Sequence, residues 1–206
     1  LILPVCEHLK EKIEFIPYIR TTVFHPDAIP IFDKKRKRIR TLMKNTHSAI
    51  VGFGFYNGLS VDDTLKLFCE DIFDYLGYFD AKQRNEKIID LEERLTGWPV
   101  RKLFQKFYSK GCFVYTTNHP HLSVFAELSR QLLERKNIPI RYSNPELILE
   151  DTIQSRQAIW PIYPEIAKNL GIEGNYEFKL PADIQKKIGS DSVSISLREF
   201  IEDSFE

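Results

Sequence analysis

Two short polar segments carry the residue types that acid–base chemistry needs: Asn45-Thr46-His47-Ser48 and Thr116-Thr117-Asn118-His119-Pro120-His121. A neutral imidazole takes a proton from a hydroxyl, and neighbouring Asn, Ser and Thr side chains donate hydrogen bonds to an oxyanion or a phosphate. His119 is the first candidate base and His47 the second, with Ser48, Asn118, Thr117 and Tyr115 as candidate contacts to a ligand. The same residue types also cap helices and make turns, so spacing alone leaves both readings open. Lys34 to Arg40 reads KKRKRIR, and outside this run acidic residues outnumber basic ones 29 to 23. Arg36 and Lys37 within it are candidate phosphate contacts. The run has no interleaved aromatics and lies in no nucleic-acid-binding module, which favours a small phosphorylated ligand over a nucleic acid.

Other chemistries lack their signatures. His119-x-His121 with His25 and His47 shows no metal-ligand spacing such as HExxH, so no metal is assigned. There is no GxSxG elbow, P-loop or GxGxxG, and Gly52-Phe53-Gly54 lacks a third glycine and a preceding strand. Cys6, Cys69 and Cys112 are odd in number and widely spaced, which argues against a disulfide framework and for a reducing cytoplasm. Cys69 and Cys112 read as apolar filling, whereas Cys6 beside His8 could form a nucleophile–base pair.

The elements that must hold these residues follow from pattern. Phe15 to Phe24 is rich in β-branched and aromatic residues and predicts a strand ending at His25-Pro26-Asp27. Asn45 or Thr46 caps a helix stopped at Asn57-Gly58, in which Gly52 and Gly54 imply close packing against a neighbour. Ser60 and Asp63 form a capping box, and Val61, Leu65, Phe68, Ile72 and Leu76 make one apolar stripe up to Gly77, predicting a single helix. Helices over 86–95 and 99–108 follow. Gly111 to Tyr115 predicts a buried strand, Thr116 to Pro120 a turn, and Leu122, Phe125, Leu128 and Leu132 a helix stopped by Asn137 and Pro139. Short helices after Asn144-Pro145 and over 163–170, a strand at 176–179 and a terminal helix over 196–205 complete the reading. In an open α/β fold a turn between strand and helix lies in the ligand-binding crevice. The fold class expected is therefore α/β and helix-rich, with a short, mostly parallel sheet and several packed helices, in a single domain over 1–206.

The composition is that of a globular chain: 206 residues, 43% hydrophobic, with 29 basic and 29 acidic side chains. Fifteen Phe and nine Tyr supply too much apolar surface for a disordered chain. No apolar run is long enough to span a bilayer, and Glu7, Lys10, Glu11 and Lys12 interrupt the start too early for a signal peptide.

The motifs also occur in a telling order. Phe24-His25-Pro26-Asp27 is followed by Thr46-His47-Ser48-Ala49-Ile50, by Tyr56-Asn57-Gly58-Leu59-Ser60-Val61-Asp62-Asp63-Thr64, and by Leu76-Gly77-Tyr78. Gly111 to Pro120 comes next, then Trp160-Pro161-Ile162-Tyr163-Pro164-Glu165-Ile166-Ala167 and Leu170-Gly171. This succession resembles the WcbI family of bacterial polysaccharide biosynthesis enzymes. The resemblance implies an α/β protein that binds coenzyme A and acetylates a sugar of capsular polysaccharide, with acetyl-CoA as cosubstrate. It also implies that His47, Ser48, Asn118 and His119 face that site. Family members begin with a strand and a cysteine-containing loop, so the chain is expected to lack an N-terminal segment of the family. The alternatives are a carbohydrate esterase or deacetylase using water as acceptor, and a non-catalytic glycan-binding module in which Trp98 and Trp160 form a stacking surface.

Overall fold

The computed structural model describes residues 13–142, 144–188 and 193–206. Among these residues the strands occur in three separate pairs, all antiparallel: β1 (Ala28–Ile29) with β2 (His47–Ser48), β3 (Val114–Thr116) with β4 (His119–Pro120), and β5 (Phe178–Lys179) with β6 (Ser194–Ile195). The expected mostly parallel sheet is therefore corrected, while the helix-rich α/β character stands. A parallel pair needs a crossover of a dozen or more residues, and the chain between β3 and β4 is only Thr117-Asn118. The turn doubles straight back, with a register shift between Val114 and Thr116.

Helices are the dominant regular element. They are α1 (Ala49–Tyr56), α2 (Val61–Leu65), α3 (Glu70–Tyr75), α4 (Ala81–Thr96), α5 (Val100–Tyr108), α6 (Leu122–Arg135), α7 (Thr152–Arg156), α8 (Pro164–Leu170), α9 (Ala182–Ile188) and α10 (Leu197–Phe205). Ser48 caps α1 through Val51 N, and the expected caps at Asn45 or Thr46 lie too early because β2 (His47–Ser48) comes between them and the helix. Gly54 meets Thr64 of α2 so closely that a Cβ would sit 2.4 Å from Thr64 Oγ1. The helix expected over 60–76 is broken into α2 and α3. Phe68 leaves the helix at the break to pack edge-on against Phe73, Tyr163 and Tyr176, and Phe73, which is off the predicted stripe, is the residue fully buried. α10 begins with a reciprocal capping box of Ser196 and Glu199.

The strand expected at 15–24 is absent, although burial alternates there as in a strand. Pro17, Ile19 and Thr21 point inward while Ile16, Tyr18 and Arg20 point out. Pro17 has no N–H to give a ladder, and Thr21 N to Thr117 O, 2.9 Å, ties this strap to the β3–β4 turn.

The core forms two clusters. One gathers Ala28, Met43, Ile50, Phe73, Trp160, Tyr163, Phe178 and Phe200 around α1, α8 and α10; the other gathers Ile19, Val23, Trp98, Leu103, Phe107, Phe113 and Val124 around α5 and α6. Trp98 and Trp160 are both buried, 2% and 1% exposed, so they cannot form a sugar-stacking surface. The β3–β4 hairpin lies on the seam: Trp160 N donates to Tyr115 O at 2.9 Å on one edge, and Thr21 N reaches Thr117 O on the other.

His25 is buried at the same seam, with Nδ1 3.3 Å from Pro161 O and Nε2 3.5 Å from Val114 O. Two carbonyls would favour an imidazolium, yet burial dominates and pushes its pKa down to about 4. The unfolded chain takes up this proton near pH 6.5 and the folded one only near pH 4. Stability due to His25 is thus intact above pH 6.5 and falls by about 3 kcal/mol as pH drops from 6.5 to 4. Urea unfolding at pH 7 and 4.5 should show a smaller acid loss for His25→Gln than for the wild type. Equal losses in the two proteins would remove His25 as the cause.

Candidate active site

Outward-pointing residues of the strap, the β1–β2 region and the hairpin turn enclose a cavity of about 560 Å³. Tyr18 and Arg20 come from the strap, Arg38, Lys44, Asn45 and Thr46 from the segment between β1 and β2, and Thr116, Thr117, Asn118 and His119 from the hairpin. Among the described residues the lining contains two arginines, a lysine and a histidine and no carboxylate. Lys44 is paired with Asp183 of α9 at 2.9 Å, whereas Arg20 and Arg38 make no ion pair among the described residues. Such a wall attracts anions.

His119 is exposed at the cavity wall, with Nδ1 2.5 Å from Thr116 Oγ1. Partial burial of its ring lowers its pKa and holds it neutral at pH 7. Burial is the cause of this shift, and His119 lies two residues before His121, the cap of α6. Thr116 Oγ1 also lies 3.4 Å from Asn118 Oδ1. When the hydroxyl donates to Asn118, its oxygen accepts from His119 Nδ1–H, and Nε2 carries the free lone pair. Asn118 Nδ2 points to Tyr18 OH at 3.5 Å. Asn45 Oδ1 is buried without a hydrogen-bond partner among the described residues.

The structure brings His119, Asn118 and Thr117 together at this cavity and places the other sequence candidates elsewhere. His47 is buried, and its Nε2–H donates to Ile39 O at 2.9 Å, because adjacent residues in an extended segment face opposite ways and Thr46 faces the cavity. Ser48 is wholly buried as the cap of α1. Tyr115 is buried too, its hydroxyl donating to Asp151 Oδ2 at 3.1 Å and its ring lying 4.1 Å from that of His121. Asp151 also accepts from Leu122 N, Ile153 N and Gln154 N; burial alone would raise its pKa, and these donors outweigh burial and lower it. Arg36 and Lys37 stand at an exposed turn outside the lining, built by Asp33 Oδ1 accepting from Lys35 N and Lys37 N at 2.8 Å. Of the basic run only Arg38 reaches the cavity. Cys6 and His8 lie outside the described residues. Burial pushes the Cys112 thiol up to about 11, which suits filling and not nucleophilic attack.

Sequence reasoning overlooked Arg20, Lys44 and Asp27. Arg20 was detectable as the outward partner of Tyr18 two residues away in an extended segment. Asp27 had no local signal. Its carboxylate is buried below β1, where Oδ1 accepts from Ile50 N at 3.1 Å and Tyr78 OH at 2.8 Å, and Oδ2 from Tyr163 OH at 2.8 Å. The Ser48 hydroxyl bonds to it as well. Burial raises its pKa, against these donors.

The family model for the polysaccharide biosynthesis enzyme WcbI matches residues 4–140, two thirds of the chain. The chain belongs to the WcbI family. That match reaches further toward the start, and stops earlier, than the motif succession running from Phe24 to Gly171. A solved WcbI structure shares the fold with a TM-score of 0.58 at 10% identity, over 92% of this chain and 59% of that one. That protein is described as the native form without a disulfide bond between coenzyme A and one of its cysteines. This WcbI-family chain thus spans less than two thirds of that protein's length. A comparison with curated proteins returned no match. Among the described residues no group of three or more His, Cys, Asp or Glu side chains gathers as metal ligands, and no helix is long and apolar enough to cross a membrane.

Proposed function

We propose that the chain is a coenzyme A-dependent acyltransferase of polysaccharide biosynthesis, with an acyl-CoA as donor, acetyl-CoA being the one that the family resemblance implies, and a sugar hydroxyl as acceptor. The observation that carries this reading is the cavity wall on which Arg20, Arg38 and Lys44 face the same space as His119 and Asn118, with no carboxylate among them. The solved WcbI protein's association with coenzyme A supports it. Coenzyme A brings a diphosphate and a 3′-phosphate, and the two arginines offer bidentate donors to such groups.

In this reading His119 Nε2 takes the proton of the sugar hydroxyl as its oxygen bonds to the thioester carbon. The carbon–sulfur bond then breaks, and the proton passes from His119 to the leaving thiolate. Asn118 Nδ2, released from Tyr18, donates to the thioester oxygen as negative charge gathers there. Thr116 holds His119 in the required tautomer. The buried side chains of His47, Ser48 and Tyr115 serve as scaffold in this scheme.

Titration calorimetry with coenzyme A and dephospho-coenzyme A tests the reading. Arg20→Gln and Arg38→Gln should each weaken coenzyme A about tenfold or more, the loss of a charge-assisted bond, whereas Arg36→Gln and Lys37→Gln change it less than twofold. An arginine whose loss affects coenzyme A but not the dephospho form meets the 3′-phosphate; equal losses place it at the diphosphate. No binding of either ligand at millimolar concentration would overturn the proposal. Release of acetate from an acetylated glycan without coenzyme A would replace transfer by hydrolysis.

A further inference from the structure

Beside the hairpin turn a second space of different chemistry adjoins the cationic cavity. An open groove of about 200 Å³ runs between the strap and the outer face of α6, lined by Ile16, Tyr18, Ile19, Phe125, Leu128 and Leu132. Tyr18 and Asn118 line both spaces, and their contact at 3.5 Å is the threshold between them. The groove accounts for apolar side chains that packing leaves uncovered: Ile16, Tyr18 and Phe125 are 55%, 56% and 45% exposed. A polar, cationic chamber next to an apolar trough, with the Asn118 amide and Tyr18 between them, is complementary to an anionic head joined to a hydrocarbon tail.

We infer that the groove between residues 16–19 and α6 holds the hydrocarbon chain of an acyl-CoA, so that the acyl group handled at this site is longer than acetyl. The inference rests on the reading of the cationic cavity as the coenzyme A site. Phosphates against Arg20 and Arg38 place the thiol end of the ligand toward the hairpin. A thioester beside Asn118 and His119 then has its acyl chain at the mouth of the groove. An acetyl group ends at that threshold and leaves Ile16 and Phe125 in contact with water. Each further methylene laid into the trough removes apolar surface from both partners, worth up to about fourfold in affinity when burial is complete. Because one side of the groove stays open, the gain per methylene is smaller.

The test is calorimetric titration of the full chain with coenzyme A, acetyl-CoA, hexanoyl-CoA and octanoyl-CoA. Affinity should rise steadily with chain length, octanoyl-CoA binding at least tenfold tighter than acetyl-CoA. Ser129→Phe projects a ring from an exposed position of α6 into the groove, and should bring the octanoyl-to-acetyl ratio below threefold whatever it does to coenzyme A itself. Failure of coenzyme A to bind overturns the reading of the cavity and the inference with it. Binding of coenzyme A with equal affinity for all three thioesters overturns the inference alone. A chain-length gain that survives Ser129→Phe puts the chain elsewhere and overturns it too. Farnesyl diphosphate bound more tightly than octanoyl-CoA and blocked by Ser129→Phe would assign the groove to a lipid-linked glycan instead.

Discussion

Replacing His119 with alanine is expected to lower kcat for acyl transfer by about a hundredfold to ten-thousandfold, the usual contribution of a positioned general base. Affinity for coenzyme A should change little, because in the proposed reading Arg20 and Arg38, not His119, hold the phosphates. The pH profile gives an independent check. Partial burial lowers the His119 pKa below its ordinary 6.5, so the active neutral form persists under mild acid and kcat falls only as pH drops through that lowered value. Thr116→Val should reduce kcat less than His119→Ala, since it frees the tautomer without removing the imidazole. A His119→Ala protein that keeps more than a tenth of wild-type kcat would move the base to another residue.

The second large effect concerns stability. Asp27→Ala should cost about 3–5 kcal/mol, measured by urea unfolding, because it leaves several buried donors without an acceptor. Tyr78 OH, Tyr163 OH and Ile50 N all converge on this one carboxylate from α1, α8 and the turn before α4. Asp27→Asn keeps the volume and one acceptor oxygen, and should cost less. A loss below 1 kcal/mol for Asp27→Ala would mean that water replaces the carboxylate in the cavity left behind. Double replacement of Tyr78 and Tyr163 by Phe together with Asp27→Ala should recover part of the loss, since it removes donors along with their acceptor.

These two residues also mark what could and could not be read from the chain alone. The His119 segment was legible because glycine, a short apolar run, a polar turn and a proline are local signals, and α6 began and ended where its stripe and Asn137 said it would. The antiparallel return of β4 was not. The direction of a strand of two residues depends on what it pairs with, and the turn length was hidden by reading 116–120 as one loop. The helix break at Phe68 and the burial of Asp27 share another cause: both answer to Tyr163, about a hundred residues or more distant in sequence. His47 was misplaced by a single position. Thr46 faces the cavity and His47 the core, a difference of one residue in an extended segment that polarity does not resolve. Arg38 was distinguished from Arg36 and Lys37 only by the tight turn at Asp33, which carries the other two outward.

The hairpin's place on the seam has a mechanical meaning. One wall of the cavity, Tyr18 and Arg20, is continuous with the cluster of Ile19 and Val23, and the opposite wall, from Ala28 to Thr46, with that of Ala28 and Met43. An anion gripped by Arg20 on one side and by Arg38 or Lys44 on the other is therefore a removable crosslink between two halves of the molecule. Binding such an anion would tie the cohesion of the two halves to the occupancy of the cavity.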